Sequence, residues 1–475
     1  MRSPREGDSR CFCNLQSHSA SESKNRENSM KPSIAILGMA LSTLWAQDSP
    51  LTLREAVRTA LAGNKRLEAS AAGVEAAAAR IAQARSGYLP KVNFSESFAR
   101  SDNPVFVFST LLTQQRFGPG NLEISTLNHP DAINNFQSQV TLNQVLFDAG
   151  QTRNAVRSAH LMHKMSDEQR RRAELDIMAG VVRAYYGTLL SAESLAAAQE
   201  AMRSAEADLH RAEAARAAGM TTDVDVLSIR VHMAAVNEQL IRRAADLDVA
   251  RAALNEILGL PLDRRIDLAS RFEPLDLPDL DLRDYERQAV DNRPETRESR
   301  LAASLARARA DSARAPLFPQ VAVRAAWEAN RRRFWSGTGT NWLAVVSLKW
   351  NLFNGFADKA RIREASHVLR RAEAEQERVG SGVRLQVRRA WADLRAAQQR
   401  IEVARAAVAE AEESLRITRN RYEVGLSDVT DLLRAQAALL ETKTRFLAAV
   451  HDQRIAAAML EYAAGTLNPD SEVLN

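Results

Sequence analysis

The sequence predicts a mainly α-helical chain with a membrane β-barrel portion, built from duplicated long antiparallel helical hairpins plus four strands per chain. Three observations lead there. Residues 150–219 run for about 70 positions without a proline, rich in Ala, Arg, Glu and Leu; one helix of that length would be roughly 100 Å tall. The stretch recurs 206 positions later without an insertion, so that Leu146-Phe147-Asp148 answers to Leu352-Phe353-Asn354, Ala184-Tyr185 to Ala390-Trp391, Gly219 to Gly425 and Gly259 to Gly465. A fixed offset over so long a stretch marks an internal repeat. Finally, each copy carries two segments whose apolar residues alternate with a period of two, the signature of strands.

The chain divides accordingly into a leader (1–46), a first repeat (47–260), a linker (261–281), a second repeat (282–467) and a short tail (468–475). In the leader, Met30-Lys31-Pro32 and the apolar run 33–41 resemble the charged and hydrophobic regions of an export signal, with cleavage expected after Ala46 and Met30 as the true start. Cys11 and Cys13 are the only cysteines, so disulfides, thiol chemistry and cysteine-ligated metal are excluded after the leader. No later run of ~18 apolar residues is present to span a membrane as a helix. The net charge of +5 is small for 475 residues and no basic cluster is interleaved with aromatics, so nucleic acid is not an expected partner.

Residues 51–89 read as helix from Leu53, Val57, Leu61, Val74 and Ile81, with a break at Gly63-Asn64; residues 285–315 repeat this with the break at Asn292-Arg293-Pro294. Beyond Pro90 and Pro319 come the strands. Val92, Phe94 and Phe98 alternate with Asn93, Ser95 and Ser97; Phe136, Val140, Leu142 and Leu146 with Gln137, Gln139, Thr141 and Asn143. In the second copy Val321, Val323 and Trp327 alternate with Ala322, Arg324 and Glu328, and Trp342, Val346, Leu348 and Trp350 with Ser347, Lys349 and Asn351. Strands of about 10 to 14 residues cross a bilayer when tilted. The pattern also suits a half-buried soluble sheet, but Trp327, Trp335, Trp342 and Trp350, four of six tryptophans, crowd into one hairpin, as an aromatic girdle at a lipid interface requires. Four strands cannot close a barrel, and open edges are not tolerated in hydrocarbon. Three chains sharing twelve strands would enclose a channel.

Residues 101–135, between the first two strands, contain Val105-Phe106-Val107-Phe108 and Leu111-Leu112; they read equally as a short helix or plug on the barrel mouth and as a mobile external loop. The counterpart, 331–341, is short and polar. The long helices end at Gly219 and Gly425, and return helices of about 37 residues start near Thr222 and Asp428. Each is too short to flank its partner alone, so the earlier helix (65–85 in the first copy) must stack on it end to end. Thr222 and Asp428 suit helix caps, with Asp225 and Asp431 three residues on.

This duplicated order resembles the TolC-type outer-membrane efflux and secretion channels over residues 51–467. It is carried by the strand exit Leu146-Phe147-Asp148-Ala149-Gly150, echoed at 352–355, and by the tip segment from Arg421-Tyr422-Glu423-Val424-Gly425-Leu426-Ser427-Asp428 to Gln436. The resemblance implies a homotrimer with a 12-stranded β-barrel in the outer membrane of a Gram-negative bacterium and a 12-helix α-barrel across the periplasm. It implies a passive conduit for small molecules or protein, working with a periplasmic adaptor (membrane fusion protein) and an energised inner-membrane pump of RND or ABC type, in contact with outer-membrane lipid. The tips Gly219, Met220, Thr221, Gly425, Leu426 and Ser427 would dock the adaptor. The periplasmic gate would use Asp225, Tyr422 and Asp431. Two departures mark this chain: Ser427 stands where the family has an arginine that locks the closed state, and Arg434 where a pore ring has its second acid, so a different closing interaction is expected.

A periplasmic adaptor or scaffold with coiled-coil hairpins is the alternative, but it predicts one hairpin between compact β domains. An exported enzyme is the third reading, and no catalytic groups, phosphate loop or nucleophile elbow converge. No cofactor is expected. His160 and His163, with Glu168, have helical spacing but read as surface residues rather than metal ligands.

Overall fold

The computed structural model describes residues 50–269, 272–276, 281–335 and 337–474. The expected leader and export signal lie outside the described residues. The first repeat contains α1 (Leu53–Gly63), α2 (Lys65–Arg85), β1 (Lys91–Ser101), α3 (Pro104–Thr113), α4 (Ile124–Asn128), β2 (Ile133–Phe147), α5 (Gln151–Ala217) and α6 (Asp223–Leu258). The second contains α7 (Leu282–Asn292), α8 (Pro294–Ala313), β3 (Gln320–Arg331), β4 (Thr338–Lys349), α9 (Ala357–Glu423) and α10 (Val429–Ala464). Helices α3 and α4 have no counterpart among the described residues of the second copy, whose strand-to-strand link is shorter.

Helices α5 and α9 each have 67 residues and α6 and α10 each 36. The shortfall is made up by stacking. Helices α2 and α6 both pack along α5, and α8 and α10 both lie between α5 and α9, giving columns in the order α2/α6, α5, α8/α10, α9. The splice between stacked helices is built alike in both repeats. Asn64 caps α2 by accepting from the Arg66 amide, and its own Nδ2 donates to Ile257 O at 2.9 Å, near the end of α6. Gly259 ends α6 at φ +72°, where a Cβ would lie 2.9 Å from Gly63 O. Gly465 ends α10 at φ +70°, with a Cβ 3.0 Å from Arg293 N at the α7–α8 break. Only glycine combines a left-handed backbone with so close an approach. Arg293, 3% exposed, fills the second splice: it pairs with Glu295 at 2.8 Å and donates to Tyr462 O at 2.8 Å.

The main core surrounds these splices. Leu53 and Val57 of α1, Tyr185 and Tyr186 of α5, Leu254 and Leu258 of α6 and Leu460 of α10 are all buried in it. Each such side chain contributes about 1.5–3 kcal/mol by leaving water. Tyr185 Oη donates to Leu51 O at 2.8 Å, so the ring is buried without orphaning its hydroxyl. Segments read as linker and tail are also drawn in: Leu275 exchanges two 2.9 Å bonds with the Gln453 amide, and Val473 and Leu474 are buried.

The four strands form one antiparallel sheet in the order β1-β2-β3-β4, with lengths of 11, 15, 12 and 12 residues. β4 begins at Thr338, earlier than the apolar pattern suggests, because Thr338–Asn341 pair with β3 although they alternate nothing hydrophobic. The register Phe94↔Val140↔Trp327↔Trp342 puts an apolar row across one face, and Ser95↔Gln139↔Glu328↔Asn341 a polar row across the other. Such a sheet suits lipid on one side and water on the other. No described helix is long and apolar enough to cross a membrane.

Candidate functional site

At the helical end, both hairpins turn through the same geometry. Gly219 (φ +74°) and Gly425 (φ +76°) take the left-handed conformation. Met220 N then bonds Ala215 O and Leu426 N bonds Arg421 O, at 2.9 and 2.8 Å, closing the last turns of α5 and α9. Thr222 caps α6 in a reciprocal box. Its Oγ1 accepts from Asp225 N at 3.3 Å, while Asp225 Oδ2 accepts from Thr222 N at 3.1 Å. Thr221 Oγ1 adds a 2.7 Å bond to the same carboxylate. The Thr221 hydroxyl and the Thr222 bonds outweigh burial and hold Asp225 below the usual carboxylate range. In the second hairpin Asp428 caps α10 through Asp431 N at 2.9 Å, Ser427 Oγ donates to Asp431 Oδ2 at 2.9 Å, and Arg434 reaches Asp431 across 3.8 Å of the same helix. Capping accounts for these polar residues, but not for Met220 (76% exposed) and Leu426 (68%), which leave apolar side chains on the hairpin ends.

Of the expected gate residues, Tyr422 and Asp225 meet. Tyr422 of α9 packs on a small core of Ala212, Val226, Ile229 and Val429, contributed by both hairpins. Burial, then the charge of Asp225, push the pKa of its phenol above the ordinary value, while a hydrogen bond with Thr221 opposes them. Asp431 and Arg434 instead pair with one another within α10. Sequence reading missed Asp208, a carboxylate 2% exposed on α5. It accepts from Arg211 on its own helix and from Gln436 Nε2 on α10, and Arg419 of α9 stands 3.6 Å away. Arg419 is also bonded to Ser204 at 2.8 Å, so the node ties the two hairpins together just above their tips. The signal was present: Ala198, Ala205 and Ala212 recur every seven residues on the buried seam, and Asp208 falls at the next seam position.

At the sheet end, all four strand ends that join helices lie together, so both strand-to-strand links lie at the opposite end. The two links turn in opposite directions. Helix α3 lies on the polar face. Its buried side is Val107 and Thr110, followed by Gln114, whose Nε2 donates to Asn134 O at 2.8 Å and to Asn135 Oδ1 at 3.0 Å. Asn135 in turn donates to Asn330 Oδ1 at 2.8 Å, and a Cβ on Gly339 would lie 2.1 Å from Thr113 O. Of the two readings of residues 101–135, the structure therefore has the packed helix. The β3–β4 link turns the other way, placing Phe334 edge-on to Phe136 on the apolar face at 5.8 Å.

The tryptophans occupy both ends of that face. Trp327 and Trp342 are direct cross-strand partners, Trp335 lies in the far link, and Trp350, beside the helices, donates its indole N–H to Leu317 O at 3.1 Å. Exposure in the single chain is high for Trp342 (80%) and Trp335 (91%). Elsewhere, His160 sits 3.3 Å from Arg85, His163 pairs with Asp167 at 3.4 Å and Glu168 with Arg171 at 3.1 Å. Among the described residues no cluster of His, Cys, Asp and Glu is placed to hold a metal ion.

This architecture has relatives. CyaE of Bordetella pertussis is 30% identical over 429 residues, 88% of this chain and 84% of that protein. The alkaline protease secretion protein AprF of Pseudomonas aeruginosa is 23% identical over 444 residues, 91% of this chain and 88% of AprF. The crystal structure of the Campylobacter jejuni CmeC outer membrane channel superposes with a TM-score of 0.75 at 17% identity, covering 91% of this chain and 92% of CmeC, which shows the shared fold. The family description "outer membrane efflux protein" matches residues 56–260 and 287–466, nearly all of both repeats. The chain belongs to the outer membrane efflux protein family.

Proposed function

We propose that three copies of this chain close one channel, each contributing four strands to a 12-stranded barrel in lipid and four helical columns to a 12-helix tunnel in the periplasm. Membership of the family makes the coarser statement plain: this is an outer-membrane channel protein with a large periplasmic part, and the adaptor reading is set aside. The observation that carries the trimer is the open sheet, apolar on one face and polar on the other, whose β1 and β4 edges have no partner strand among the described residues. Unpaired edges in hydrocarbon cost several kcal/mol per group, and neighbouring copies supply the missing partners.

In this reading the tips, Gly219, Met220, Thr221, Gly425, Leu426 and Ser427, meet the hairpins of a periplasmic adaptor, with Met220 and Leu426 as the apolar contacts. Tyr422, Thr221 and Asp225 hold the two hairpins of one chain together at the gate. Asp431 and Arg434 neutralise one another and leave no acidic ring to select cations. Trp327, Trp335, Trp342 and Trp350 sit at the lipid headgroups. The pump, of RND or ABC type, supplies the energy, and the cargo is a small molecule or a protein; AprF is named for protease secretion. Helix α3 narrows the outer mouth from the polar side.

The test is recovery. Full-length protein expressed in a Gram-negative host and extracted in detergent is expected in the outer-membrane fraction as a particle of three chains. A soluble periplasmic monomer that stays folded without detergent sinks the channel reading.

A further inference from the structure

The polar face of the sheet carries its positive charge at one end. Along the four strands that face holds three cations, Lys91, Arg324 and Lys349, and one acid, Glu328. The register sets Lys91, Asn143 and Arg324 side by side on β1, β2 and β3, and Lys349 lies four residues beyond Val345, the β4 partner of Arg324. All three cations therefore stand at the end where the strands join helices. Each is exposed, as is Asn143, and none of the three forms an ion pair among the described residues. The acids nearest to them are committed elsewhere. Glu328 accepts from Gln137 Nε2 at 2.9 Å and lies four residues farther out along β3 than Arg324. Asp148, just past β2, accepts from Gly150 N at 3.0 Å and from Thr152 N at 2.7 Å. Asp311 stands 3.9 Å from Arg314, and Asp358, 7% exposed, 3.4 Å from Arg361. Asp102, Glu123 and Asp131 belong to the link at the opposite end of the strands. At ~3.4 Å per residue that end is roughly 20 Å from Arg324, well beyond the screening length of about 8 Å in physiological salt.

We propose that the periplasmic end of the barrel lumen binds the carboxylate or phosphate groups of an anionic cargo, with Lys91, Asn143 and Arg324 of each chain as the site. The inference deepens the channel reading and rests on it, since the polar face must line the lumen of a three-chain barrel. Adjacent strands are about 4.8 Å apart, so the Lys91 and Arg324 stems leave the wall about 10 Å from one another with Asn143 between them. Both stems are long enough to bring their heads to one oxyanion above Asn143. There the guanidinium fork takes two oxygens, the ammonium adds a third contact and the amide Nδ2 donates. Three chains repeat the site around one ring, and Lys349 adds a further cation from each chain on the helical side. Low-dielectric walls focus such a field into the water they enclose. Anionic cargo is thus drawn from the helical tunnel into the barrel, and small cations are disfavoured at that level.

The local potential can be read with a thiol. Residues 47–475 contain no cysteine, and Thr141→Cys places one on the same face, one row outside the site, where Thr141 pairs with Asn93 and Ala326. The detergent-extracted trimer is reacted with methanethiosulfonates carrying either a sulfonate or a trimethylammonium group, and the ratio of the two rates is compared with the ratio for 2-mercaptoethanol. The sulfonate reagent is expected to gain about tenfold over that reference, and added phosphate or citrate to slow it about twofold or more at an ionic strength held constant with KCl. Citrate as the stronger competitor assigns the site to carboxylates, and phosphate as the stronger to phosphoryl groups; protection by neither overturns the proposal. Adding Lys91→Gln with Arg324→Gln is expected to return the ratio to within about twofold of the reference, and a ratio that stays high in that variant overturns the assignment to these residues. If the Gln pair does not assemble, salt decides in the Thr141→Cys background. A ratio that falls toward the reference between ~0.05 and ~1 M KCl supports the cationic ring, and a salt-independent one overturns it. A ratio already at the reference in an assembled trimer sinks this inference alone, whereas failure to find any trimer in the outer membrane falls on the channel reading.

Discussion

The two repeats agree in their interior and differ where the channel meets its surroundings. Both splice a short helix onto a return helix at a left-handed glycine, Gly259 and Gly465, pressed against the backbone of a helix break. Both end their long helices at a left-handed glycine, Gly219 and Gly425. Yet the first copy spends its strand-to-strand link on a helix laid over the polar face, and the second bends a short link onto the apolar face. The anchors follow the solvent. Amides of Gln114, Asn135 and Asn330 hold the inward link, where water competes and specific hydrogen bonds fix position. Aromatic rings of Phe136, Phe334 and Trp335 hold the outward one together with Arg331, which is paired with Glu96 and donates to Phe334 O, where lipid competes and an unpaired polar group would be costly. Duplication thus preserved what one column must do for the next and released what faces outwards.

The sharpest way to break the contrast is to force α3 off its wall. A side chain on Gly339 meets Thr113 O and the Gln114 backbone, neither of which can yield while α3 is docked. Residues 47–475 contain no cysteine, so Ser95→Cys on the polar face is a clean reporter. Adding Gly339→Val is expected to raise the labelling rate of that thiol by a bulky external maleimide on intact cells about tenfold, since the outer constriction sets access. A small maleimide should react alike in both backgrounds. If the bulky reagent enters the undisturbed channel just as fast, α3 does not narrow the mouth. Gln114→Ala should act in the same direction but less, because it removes two hydrogen bonds to β2 and one accepted from Arg116, worth about 1 kcal/mol each, and leaves the helix its apolar contacts.

Where the copies agree, substitutions should have matched effects. Gly259→Ala and Gly465→Ala each force an L-residue into positive φ and push a Cβ to about 3 Å from backbone atoms. Each is expected to destabilise the helical part by about 2–4 kcal/mol, combining the left-handed penalty with overpacking. Thermal melts followed by circular dichroism should place the two variants close together. A loss confined to one of them would mean that only one column is spliced as described.

The same contrast explains what was legible in the sequence. The repeat, the breaks at Asn64 and Pro294, the glycine ends and the strand alternation are local signals, each readable from a few adjacent residues. The direction taken by α3 is not local. It depends on Asn135, Asn330 and Gly339, which come from three different strands and converge only in the folded sheet. The start of β4 was hidden for a related reason, since Thr338 to Asn341 become a strand by pairing with β3 and not by their own pattern. Asp208 stood between: its place on the alanine seam was readable, but its partners Gln436 and Arg419 lie more than two hundred residues away. Burial of Val473 and Leu474 follows from a stretch too short to show any period.

At the tips the two copies differ by degree, and the expected effects are smaller. Asp225 accepts from Thr221, from the Thr222 hydroxyl and from Thr222 N, whereas the side chain of Asp431 accepts from Ser427 and faces Arg434. Asp225→Asn should therefore weaken its hairpin end by about 1 kcal/mol, the usual worth of a lost cap, and Asp431→Asn by less. Hydrogen exchange of the amides at 222–226 and 428–432 reads the two separately; equal loss of protection would deny the asymmetry.

The smallest effect, and the most specific, is in the pH dependence of the first tip. Because hydrogen bonds to its carboxylate hold Asp225 below the ordinary aspartate value, the folded tip binds its proton later than the unfolded chain does as pH falls. The sign follows from linkage: the stabilisation is fully present above the unfolded value of about 3.9 and is lost as pH drops through the lower folded value. Amide protection at 222–226 should accordingly be flat from neutrality down to about pH 5 and fall only below about pH 4. In Asp225→Asn the same amides should be less protected at neutral pH and should lose this acid step. A step that survives in that variant would assign it to another carboxylate and leave the Thr221–Thr222–Asp225 box as a neutral-pH cap alone.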